Sequence, residues 1–400
     1  MLKHNPLLSI CVPTYNRRPM LERNVKFHLE AFRRMGIPFE MVIVDDRSTD
    51  GTNEYLEQLA GIPEISHHRR VKNSGFLSNY AFAMQRARGK YALFLGDDDL
   101  LIPEKVAEYL AMLEADPALG MIQAPWMLVN EKTGGTDMQP FYYIPGPTRF
   151  AKDQHQQMLD FLLTHHVFPE FLIIRREILD QTISSLAPFI FWAFLFTTRA
   201  LGKADVLFLP APFARVTGVA ADGDVQQGKK ECMFQWDTYL GGLEYLASHA
   251  KISSRLSNAE RLNFHERFVQ FMLVRKSVAL RLHMVFRNWP EAYIMYHRMS
   301  AYHPSPATKE AYDQICTLAA IVTALTEASG YSGGPVVVDP IITNEALQMI
   351  PDALKPNIVR QPSPSHQGPQ SWLVMQPEFA AQAPAGDGVF ELRHYMAQFA

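Results

Sequence analysis

The chain has 400 residues, of which 48% are hydrophobic and 20% charged, and its formal net charge at pH 7 is −3. This composition is typical of a globular protein with two or three domains, and the near-neutral charge excludes the basic field of a nucleic-acid-binding protein. Only three cysteines occur. Their small, odd number argues against a disulfide framework and a cysteine-based zinc site, and favours a reducing compartment.

The chain shows no strong targeting or membrane signal. Its apolar stretch before Pro13 is short, so we expect no signal peptide, and no run reaches the roughly 18–20 apolar residues of a membrane span. The stretch that comes closest is "LAPFIFWAFLF" at 186–196, which is uncharged but only eleven residues long. It predicts a buried core helix, and a surface that docks on a membrane or a partner is the alternative. We expect a cytoplasmic protein, with association at the cytoplasmic face of a membrane left open.

Predicted strands and helices alternate along the first part of the chain. Continuous apolar runs predict strands at 7–13, 39–46, 65–71, 90–99 and 121–129. Helical periodicity predicts helices at 19–36, 48–61, 77–88 and 102–117. Apolar strands that alternate with helices are typical of a parallel sheet covered on both faces, which binds ligands at the carboxyl ends of its strands. Residues 130–150 predict a loop over that edge, residues 225–330 mostly helices, and the segment from 331 a strand followed by a helix.

Three consecutive carboxylates, Asp97, Asp98 and Asp99, follow the strand at 90–99, and polar residues also follow the first two strands. Like charges at one strand end repel, so water, a helix end or a cation must offset them. Side chains alternate along an extended segment, which places Asp97 and Asp99 on one side and Asp98 elsewhere. Two such carboxylates suit Mg²⁺ or Mn²⁺, which also bind diphosphates.

Four stretches in order resemble the family 2 inverting glycosyltransferases with the GT-A fold. They are "SICVPTYNR" (9–17), "MVIVDDRSTDGT" (41–52), "KNSGFLSNYAFAMQRARGKYALFLGDDDLLIPEK" (72–105) and, more loosely, "FLIIRREIL" (171–179). With the patterns above, the resemblance predicts an α/β, GT-A-type domain over 1–220, with a mostly parallel sheet flanked by helices. A mostly helical segment over 221–330 and a small C-terminal α/β appendage over 331–400 follow.

The resemblance also implies the residues of a donor site. Around a nucleotide-diphosphate sugar it places Pro13, Thr14, Tyr15, Asn16, Asp45, Asp46, Asn73, Gly75, Asn79, Asp97 and Asp98. It assigns Mn²⁺ or Mg²⁺ to Asp97 and Asp99. Structural roles stay open for several of them: a turn or cap for Asp46, packing for Tyr15, and loop geometry for Asn73 and Gly75.

The general base of an inverting transfer has no clear counterpart. The family commonly supplies an Asp or Glu in the region where this chain has "SLAPFIFWAFLF", which contains no acid. Glu170 is a carboxylate that precedes that run, with His165 and His166 close by. Asp205, Asp222 and Asp224 are later alternatives. The base is therefore left unassigned, with Glu170 as the first candidate.

Two further groups have open roles. Trp126, Tyr142 and Tyr143 could stack on a sugar ring or pack in the core. Arg175 and Arg176 could face the diphosphate or acceptor, or start a solvated helix.

The sequence thus predicts a metal-dependent inverting glycosyltransferase. It would move a sugar from a nucleotide-diphosphate sugar to a hydroxyl of a glycan, lipid or protein acceptor, in glycan or cell-envelope polysaccharide synthesis. A non-catalytic sugar-nucleotide-binding or scaffold protein that has lost its base is the alternative. A nucleotidyltransferase would need a Gly-rich basic loop where this chain has "PTYNRRP". We expect no nucleic acid partner; peripheral membrane contact and a homo-oligomer are left open.

Overall fold

The structure is a computed structural model that describes residues 5–183, 190–219, 233–304, 306–362, 366 and 368–400. The chain divides into two compact units. The first contains Met1–Gly228 and Asp237–Phe268, and the second contains Lys229–Trp236 and Val269–Ala400. The predicted domain boundaries at 220/221 and 330/331 stay a prediction.

The chain up to residue 285 contains the following described elements. The strands are β1 (Leu8–Thr14), β2 (Phe39–Asp45), β3 (Ile65–Arg69), β4 (Tyr91–Phe94), β5 (Leu100–Leu101), β6 (Leu119–Gln123), β7 (Met127–Asn130), β8 (Thr136–Pro140), β9 (Thr148–Phe150), β10 (Leu172–Arg175), β11 (Asp205–Phe208) and β12 (Ala214–Val219). The helices are α1 (Arg18–Met35), α2 (Thr52–Gln58), α3 (Phe76–Met84), α4 (Pro103–Ala115), α5 (His155–His165), α6 (Arg176–Thr182), α7 (Trp192–Leu201), α8 (Trp236–Ser254) and α9 (Asn258–Val285).

An eight-stranded sheet forms the centre of the first unit, in the order β3-β2-β1-β4-β10-β6-β11-β9. Strands β1, β2, β3, β4, β6 and β11 run in one direction, and β9 and β10 run the opposite way. Every residue of β1, β2 and β6 is buried, as expected of strands with helices on both faces. The predicted α/β fold with a mostly parallel, helix-flanked sheet is confirmed.

Helix α1 shows why the local predictions succeed. Pro19 lies in its first turn, where a missing N–H costs least, and the helix ends at Gly36. Gly36 has a φ of 68°, and its N–H caps the carbonyls of Phe32 and Arg33. This left-handed cap is the conformation in which glycine is favoured. Apolar residues on one face of the helix, including Leu21 and Val25, are buried.

The region after β6 differs from the prediction. The expected single strand over 121–129 is two strands, β6 and β7, which belong to different sheets. Pro125 lies between them and has no N–H to continue a ladder. The prediction of a loop over 130–150 is wrong, because β7 pairs antiparallel with β8 in a second sheet of order β5-β12-β7-β8.

A buried polar cluster fixes the amino-terminal edge of the large sheet. The Glu40 carboxylate accepts hydrogen bonds from Ser9 Oγ at 2.6 Å and Arg88 Nε at 2.9 Å. Ser9 Oγ in turn accepts from the Gly89 N–H at 2.8 Å. A Cβ at Gly89 would lie 2.7 Å from Ser9 N and 2.8 Å from the carbonyl carbon of Leu8, so this close approach requires glycine.

Gly89→Ala therefore tests the packing of this edge. The new methyl group meets backbone atoms that cannot rotate away, so we expect a loss of about 1–3 kcal/mol in the free energy of unfolding. Urea denaturation followed by circular dichroism measures it. Gly146→Ala is the control, because a Cβ there has no neighbour within 4 Å. Equal midpoints for the two variants would contradict the prediction.

The second unit combines helices with a small parallel sheet. Its elements beyond α9 are α10 (Trp289–Ser300), α11 (Lys309–Ser332), β13 (Val336–Val338), α12 (Asn344–Gln348), β14 (Ile358–Val359), β15 (Ser371–Val374), α13 (Pro377–Ala380), β16 (Gly388–Glu391) and α14 (Leu392–Gln398). The sheet order is β14-β13-β15-β16, and all three pairs are parallel. The predicted helical segment and C-terminal α/β part are both present.

One helix departs from the expectation about membrane spans. Among the described helices, α11 is long and apolar enough to cross a membrane by length and composition, although half of the relevant window is buried in the structure. Core helices of soluble proteins meet the same criterion. The expectation that no segment is long and apolar enough for a membrane span is therefore corrected for α11.

Candidate functional site

The carboxyl ends of β1, β2 and β4 lie side by side at one edge of the large sheet, because these strands are parallel neighbours. Side chains and backbone from the following loops join there. Thr14 Oγ1 donates to Asp97 Oδ2 at 2.7 Å, which links the end of β1 to the loop after β4. The Asn16 N–H donates to Ser48 Oγ at 2.8 Å, which links the first loop to the loop after β2.

Asn16 has the left-handed φ of 53°, a conformation that asparagine tolerates better than most residues. Its side-chain Oδ1 accepts from the Thr49 N–H at 2.8 Å. This bond and the one from its own N–H to Ser48 hold the backbone turn of "PTYNR". Of the neighbouring predicted residues, Pro13 is buried and Tyr15 is 45% exposed.

The two acidic residues after β2 both bind backbone amides. Asp45 is fully buried; Oδ1 accepts from the Ser48 N–H at 3.0 Å, and Oδ2 lies 3.4 Å from Arg69 Nε. The Asp46 carboxylate accepts from the N–H groups of Ser74 and Gly75 at 2.9–3.0 Å. Asp46 thus caps the segment that starts α3. The structural role considered for Asp46, a turn or cap, is therefore present. Contact of Asp45 or Asp46 with a nucleotide stays a prediction.

The other residues predicted near the base border the same loop. Asn73 Oδ1 accepts from the Gly75 N–H at 3.0 Å, and Gly75 has a φ of 80°, which favours glycine. Asn79 is buried and donates from Nδ2 to the Val44 carbonyl at 2.9 Å. Its Oδ1 has no hydrogen-bond partner among the described residues. The structure therefore brings Asn73, Gly75 and Asn79 together beside the end of β2.

The carboxylate loop turns sharply between Gly96 and Asp99. The Asp99 N–H donates to the Gly96 carbonyl at 3.2 Å. A Cβ at Gly96 would lie 2.5 Å from Asp99 Oδ2, so glycine lets the Asp99 side chain fold over the turn. Arg17 Nη1 lies 2.6 Å from Asp98 Oδ2 and 3.4 Å from Asp97 Oδ1. One guanidinium therefore offsets part of the repulsion among the three carboxylates.

Burial makes two of these carboxylates hard to ionise. Asp97 is 5% exposed, and this burial raises its pKa to about 6; the Asp98 charge adds to the effect, whereas the Thr14 hydrogen bond opposes it. Burial, followed by the charges of Asp98 and Asp97, raises the pKa of Asp99 well above its usual range. A cation near both would favour their charged forms.

These residues fit a hard divalent cation that completes its coordination with water and phosphate. Mg²⁺ and Mn²⁺ sites often use one or two protein carboxylates together with substrate phosphates. Asp97 and Asp99 provide that number from one turn. Within the described ranges, no group of three His, Cys, Asp or Glu side chains is arranged to hold a metal. A site of two carboxylates and a diphosphate does not require such a group.

Glu170 lies at the same edge for a topological reason. Strand β10 runs antiparallel to β4 and β6 and begins at Leu172, opposite Gln123 at the end of β6. The residues just before β10 are therefore near the carboxyl ends of the parallel strands. Glu170 is half-buried, and its charge acts on both Asp99 and Tyr142. His165 and His166 are half-buried at the end of α5.

Of the other candidate bases, Asp205 is not brought to this edge. Asp205 begins β11 beside Leu119, at the opposite edge of the sheet, and lies 2.7 Å from Arg149. Asp222 and Asp224 lie outside the described residues.

Arg175 and Arg176 also have roles away from the site. Arg175 is buried, and its guanidinium donates to the carbonyls of Leu119 at 2.7 Å and Asp116 at 2.9 Å. Both alternatives for Arg175, a diphosphate contact and a solvated position, are wrong. Because β10 runs antiparallel to β4, its last residue lies at the edge of the sheet opposite the site. Arg176 pairs with Asp180 on the surface of α6.

The aromatic residues divide between core and surface. Trp126 and Tyr142 are buried, and Trp126 stacks on Phe141 with ring centroids 4.2 Å apart. Tyr143 is 66% exposed. Core packing therefore describes the first two. Trp126 Nε1 and Tyr142 Oη have no hydrogen-bond partner in the part of the chain that the structure describes.

The apolar run at 186–196 is a core helix where the structure describes it. Residues 191–196 are buried, and the Trp192 ring centroid lies 4.7 Å from that of Tyr80 and 5.6 Å from that of Phe94. Residues 184–189 lie outside the described ranges. The prediction of a buried helix is confirmed for 191–196.

The sequence did not single out four residues that hydrogen-bond to the carboxylate loop or to Leu101 just after it: Arg17, Arg23, Asn24 and His28. Asn24 and His28 are fully buried on the apolar face of α1, one turn apart. Their signal in the sequence is that both are polar at positions where the helical pattern of Leu21, Val25 and Phe32 calls for apolar residues.

The raised pKa of Asp97 predicts a pH dependence of stability. Between the ordinary value of 3.8 and about 6, the folded protein holds this proton and the unfolded chain releases it. The contribution of Asp97 to the free energy of unfolding therefore falls as pH rises through this range, by up to about 3 kcal/mol. Asp97→Asn cannot ionise, so in EDTA at pH 8 we expect it to unfold at a higher denaturant concentration than the wild type.

The control for this experiment is Asp116→Asn. The hydrogen bond from Arg149 lowers the pKa of Asp116, so its ionised form stabilises the fold and the substitution should give no gain at pH 8. If Asp97→Asn also gives no gain, the Asp97 environment is not as described.

The family model and the relatives that this chain resembles are described as glycosyltransferases. Residues 9–183 match the family model described as Glycosyl transferase family 2. The chain is 33% identical over 147 residues to the putative teichuronic acid biosynthesis glycosyltransferase TuaG of Bacillus subtilis, covering 36% of this chain and 56% of the relative. It is 30% identical over 135 residues to the abequosyltransferase RfbV of Salmonella typhimurium, covering 33% and 38%. The chain thus spans about half or less of the length of these relatives.

The chain also aligns with solved structures of two other proteins. S. aureus TarS 1-349 in complex with UDP-GlcNAc aligns over 81% of this chain and 87% of its own, with a TM-score of 0.45 and 16% identity. The mannosyltransferase PcManGT from Pyrobaculum calidifontis, in complex with GDP-Man and Mn²⁺, aligns over 80% of this chain and 87% of its own, with a TM-score of 0.42 and 16% identity.

Proposed function

We propose that this protein, in which residues 9–183 match the model of glycosyl transferase family 2, transfers a sugar, with inversion, from a nucleotide-diphosphate sugar to a hydroxyl acceptor. The observation that carries the proposal is the Thr14–Asp97 hydrogen bond of 2.7 Å, which joins the loop after β1 to the carboxylate loop after β4. It brings the polar residues of two parallel strand ends into one site, the place where sheets of this kind bind ligands.

The donor nucleotide would lie against the loops after β1 and β2. Pro13, Thr14, Tyr15 and Asn16 would line its pocket, and Asn73, Gly75 and Asn79 would border base and ribose. Asp45 or Asp46 would accept from the base edge. Backbone amides already bind both residues, but a carboxylate has about four lone-pair sites, so acceptor capacity is left.

Asp97 and Asp98 would lie near the ribose and sugar, and Asp97 and Asp99 would hold Mn²⁺ or Mg²⁺. When bound, the cation neutralises the diphosphate and makes it a better leaving group. Thr14 orients Asp97 by its hydrogen bond, and Arg17 balances the charge of Asp98. Most of the rate would come from holding the donor and acceptor in a reactive geometry.

Glu170 would be the general base. It would take the proton of the acceptor hydroxyl while that oxygen bonds to the anomeric carbon and the bond from this carbon to the diphosphate oxygen breaks. The products are the glycoside and the nucleoside diphosphate. Two observations support Glu170: it precedes β10 at the site edge, and its charge acts on Asp99. His165 and His166 stay open as alternatives.

The acceptor would be a hydroxyl of a glycan, lipid or protein. The relative named for the synthesis of teichuronic acid supports a role in cell-envelope polysaccharide synthesis. The proposal also keeps three expectations from the sequence. They are a cytoplasmic location, peripheral contact with the membrane and a homo-oligomer.

A non-catalytic sugar-nucleotide-binding protein is the second candidate. It is favoured by the helix that begins at Trp192, which buries apolar side chains in the region where the family commonly has an acidic base. This candidate keeps the donor site and lacks transfer, so turnover separates it from the first.

Thermal stability against a panel of UDP- and GDP-sugars, with Mn²⁺ or with EDTA, tests the donor site. A ligand at 100 times its Kd stabilises the folded state by about 2.7 kcal/mol. We expect one nucleotide family to raise the Tm with Mn²⁺ only, and Asp99→Asn to abolish the rise. Asp205→Asn, at the opposite edge, should keep it. If no nucleotide-sugar raises the wild-type Tm, the donor site is refuted.

Glu170→Gln tests the base. Removal of a general base lowers the rate by about 10²–10⁴-fold, so we expect kcat to fall by that factor while the donor still raises the Tm. Nucleoside diphosphate release in the presence of an acceptor measures kcat. His165→Gln is the matched control and should retain activity. The reverse pattern would assign the base to His165, and donor binding without turnover in the wild type would favour the second candidate.

A further inference from the structure

One side chain of helix α1 bridges the two ends of the carboxylate turn. Asn24 Nδ2 donates to the Gly96 carbonyl at 3.1 Å and to the Asp99 carbonyl at 2.7 Å. These are the first and last residues of the turn that carries the three carboxylates. Because an amide nitrogen has two hydrogens, it can make both bonds at once. Asn24 thus fixes the distance between the ends of the turn.

His28, one helical turn later, fixes the orientation of Asn24. The Leu101 N–H donates to His28 Nε2 at 3.0 Å. A backbone N–H can only donate, so Nε2 is the unprotonated nitrogen and the hydrogen is on Nδ1. Nδ1 lies 2.7 Å from the Asn24 carbonyl and 3.1 Å from Asn24 Oδ1, and it donates to them. The amide oxygen of Asn24 therefore faces His28, and its NH₂ group faces the turn.

The His28 ring is in the state that this arrangement needs. Burial lowers its pKa to about 4, so the ring is neutral at physiological pH, with one donor and one acceptor nitrogen. Leu101 begins the short path from the turn into α4, and its side chain is buried. Together, Asn24 and His28 hold the turn at Gly96 and Asp99 and also at the second residue after it.

These bonds act on a loop that electrostatic repulsion would otherwise open. Three consecutive carboxylates repel each other, and Arg17 balances them from the outer side, where its side chain is 46% exposed. Asn24 and His28 act from the inner side, and both have 0% exposure. Burying two polar side chains in an apolar helix face is unfavourable unless their hydrogen bonds are all made.

We propose that Asn24 and His28 are positioning residues that hold the turn 96–99 in the conformation in which Asp97 and Asp99 bind the divalent cation of the donor complex. The inference rests on the proposed function, because it assigns the cation to these carboxylates. The pair does not touch donor or acceptor. It acts by fixing the distance between the two ends of the turn, so the cation meets a preformed pair of ligands.

The test measures Mn²⁺ binding by electron paramagnetic resonance, with UDP and separately with GDP, in the full chain. Asn24→Ala removes the bridge, and His28→Phe fills the same space without either hydrogen bond. We expect each to weaken Mn²⁺ binding at least tenfold. His28→Gln can still accept from the Leu101 N–H and donate to Asn24, so it should restore binding to within about threefold of the wild type.

Ser9→Ala is the matched control. Ser9 is also fully buried in the large sheet, and its hydroxyl bonds to Glu40 and Gly89 at the opposite edge. We expect this variant to lose a similar amount of thermal stability and to keep wild-type Mn²⁺ affinity. This comparison separates a positioning role from a general loss of stability.

The outcomes distinguish a failure of the positioning role from a failure of the donor site. If the wild type binds Mn²⁺ with UDP or GDP and Asn24→Ala and His28→Phe bind it equally well, the positioning role is overturned and the donor site stands. If Ser9→Ala weakens binding as much as they do, the positioning role is also overturned. If the wild type binds no Mn²⁺ with either nucleotide, the donor site fails and the positioning role fails with it. Where His28→Phe does not fold, Asn24→Ala decides.

Discussion

The repulsion among Asp97, Asp98 and Asp99 is the constraint on which the rest of the site depends. Three adjacent carboxylates at a partly buried strand end repel one another when ionised, and the structure counters this repulsion from three directions. Thr14 donates to one carboxylate, the Arg17 guanidinium approaches two, and Asn24 holds the backbone beneath them. All three come from β1, from α1 or from the loop between them. The first strand–helix unit of the chain thus supports a loop roughly 80 residues later, and this is possible only because β1 and β4 are parallel neighbours.

Hydrogen bonds to backbone amides recur at this edge and give it a preformed shape. Asp45 holds the turn after β2, Asp46 holds the start of α3, and Asn16 holds the turn after β1. Such contacts are compatible with ligand binding, because carboxylate and amide oxygens keep unused lone pairs. They also lower the entropy that a ligand must remove from the loops when it binds. A residue here can be structural and functional at once, which is why the sequence left both roles open.

The sequence predicted what depends on local pattern. Continuous apolar runs such as "SICVP" and "MVIVD" identified buried strands, and the polar residues after them identified the site edge. It could not predict pairings between distant segments. The antiparallel direction of β10 places Glu170 at the site and Arg175 at the far edge, and nothing in "FLIIRR" encodes that direction. The pairing of β7 with β8 was missed for a related reason, since Gly and Pro residues made 130–150 resemble a loop. Asn24 and His28 gave a visible signal, two polar residues in an apolar face, but their partners lie in another part of the chain.

Strand β10 has a consequence for the order in which the sheet can form. Strands β3, β2, β1 and β4 come from the first 94 residues and pair with one another, so this half of the sheet has short sequence separations. Strand β6 meets that half only through β10, which is inserted between β4 and β6. During synthesis, β4 is therefore an open edge until residues 172–175 have emerged. Unpaired apolar edges invite pairing with other chains, and contacts of long sequence separation form slowly. The pairing of the four-residue strand β10 with β4 thus ends the period in which this edge is open to aggregation.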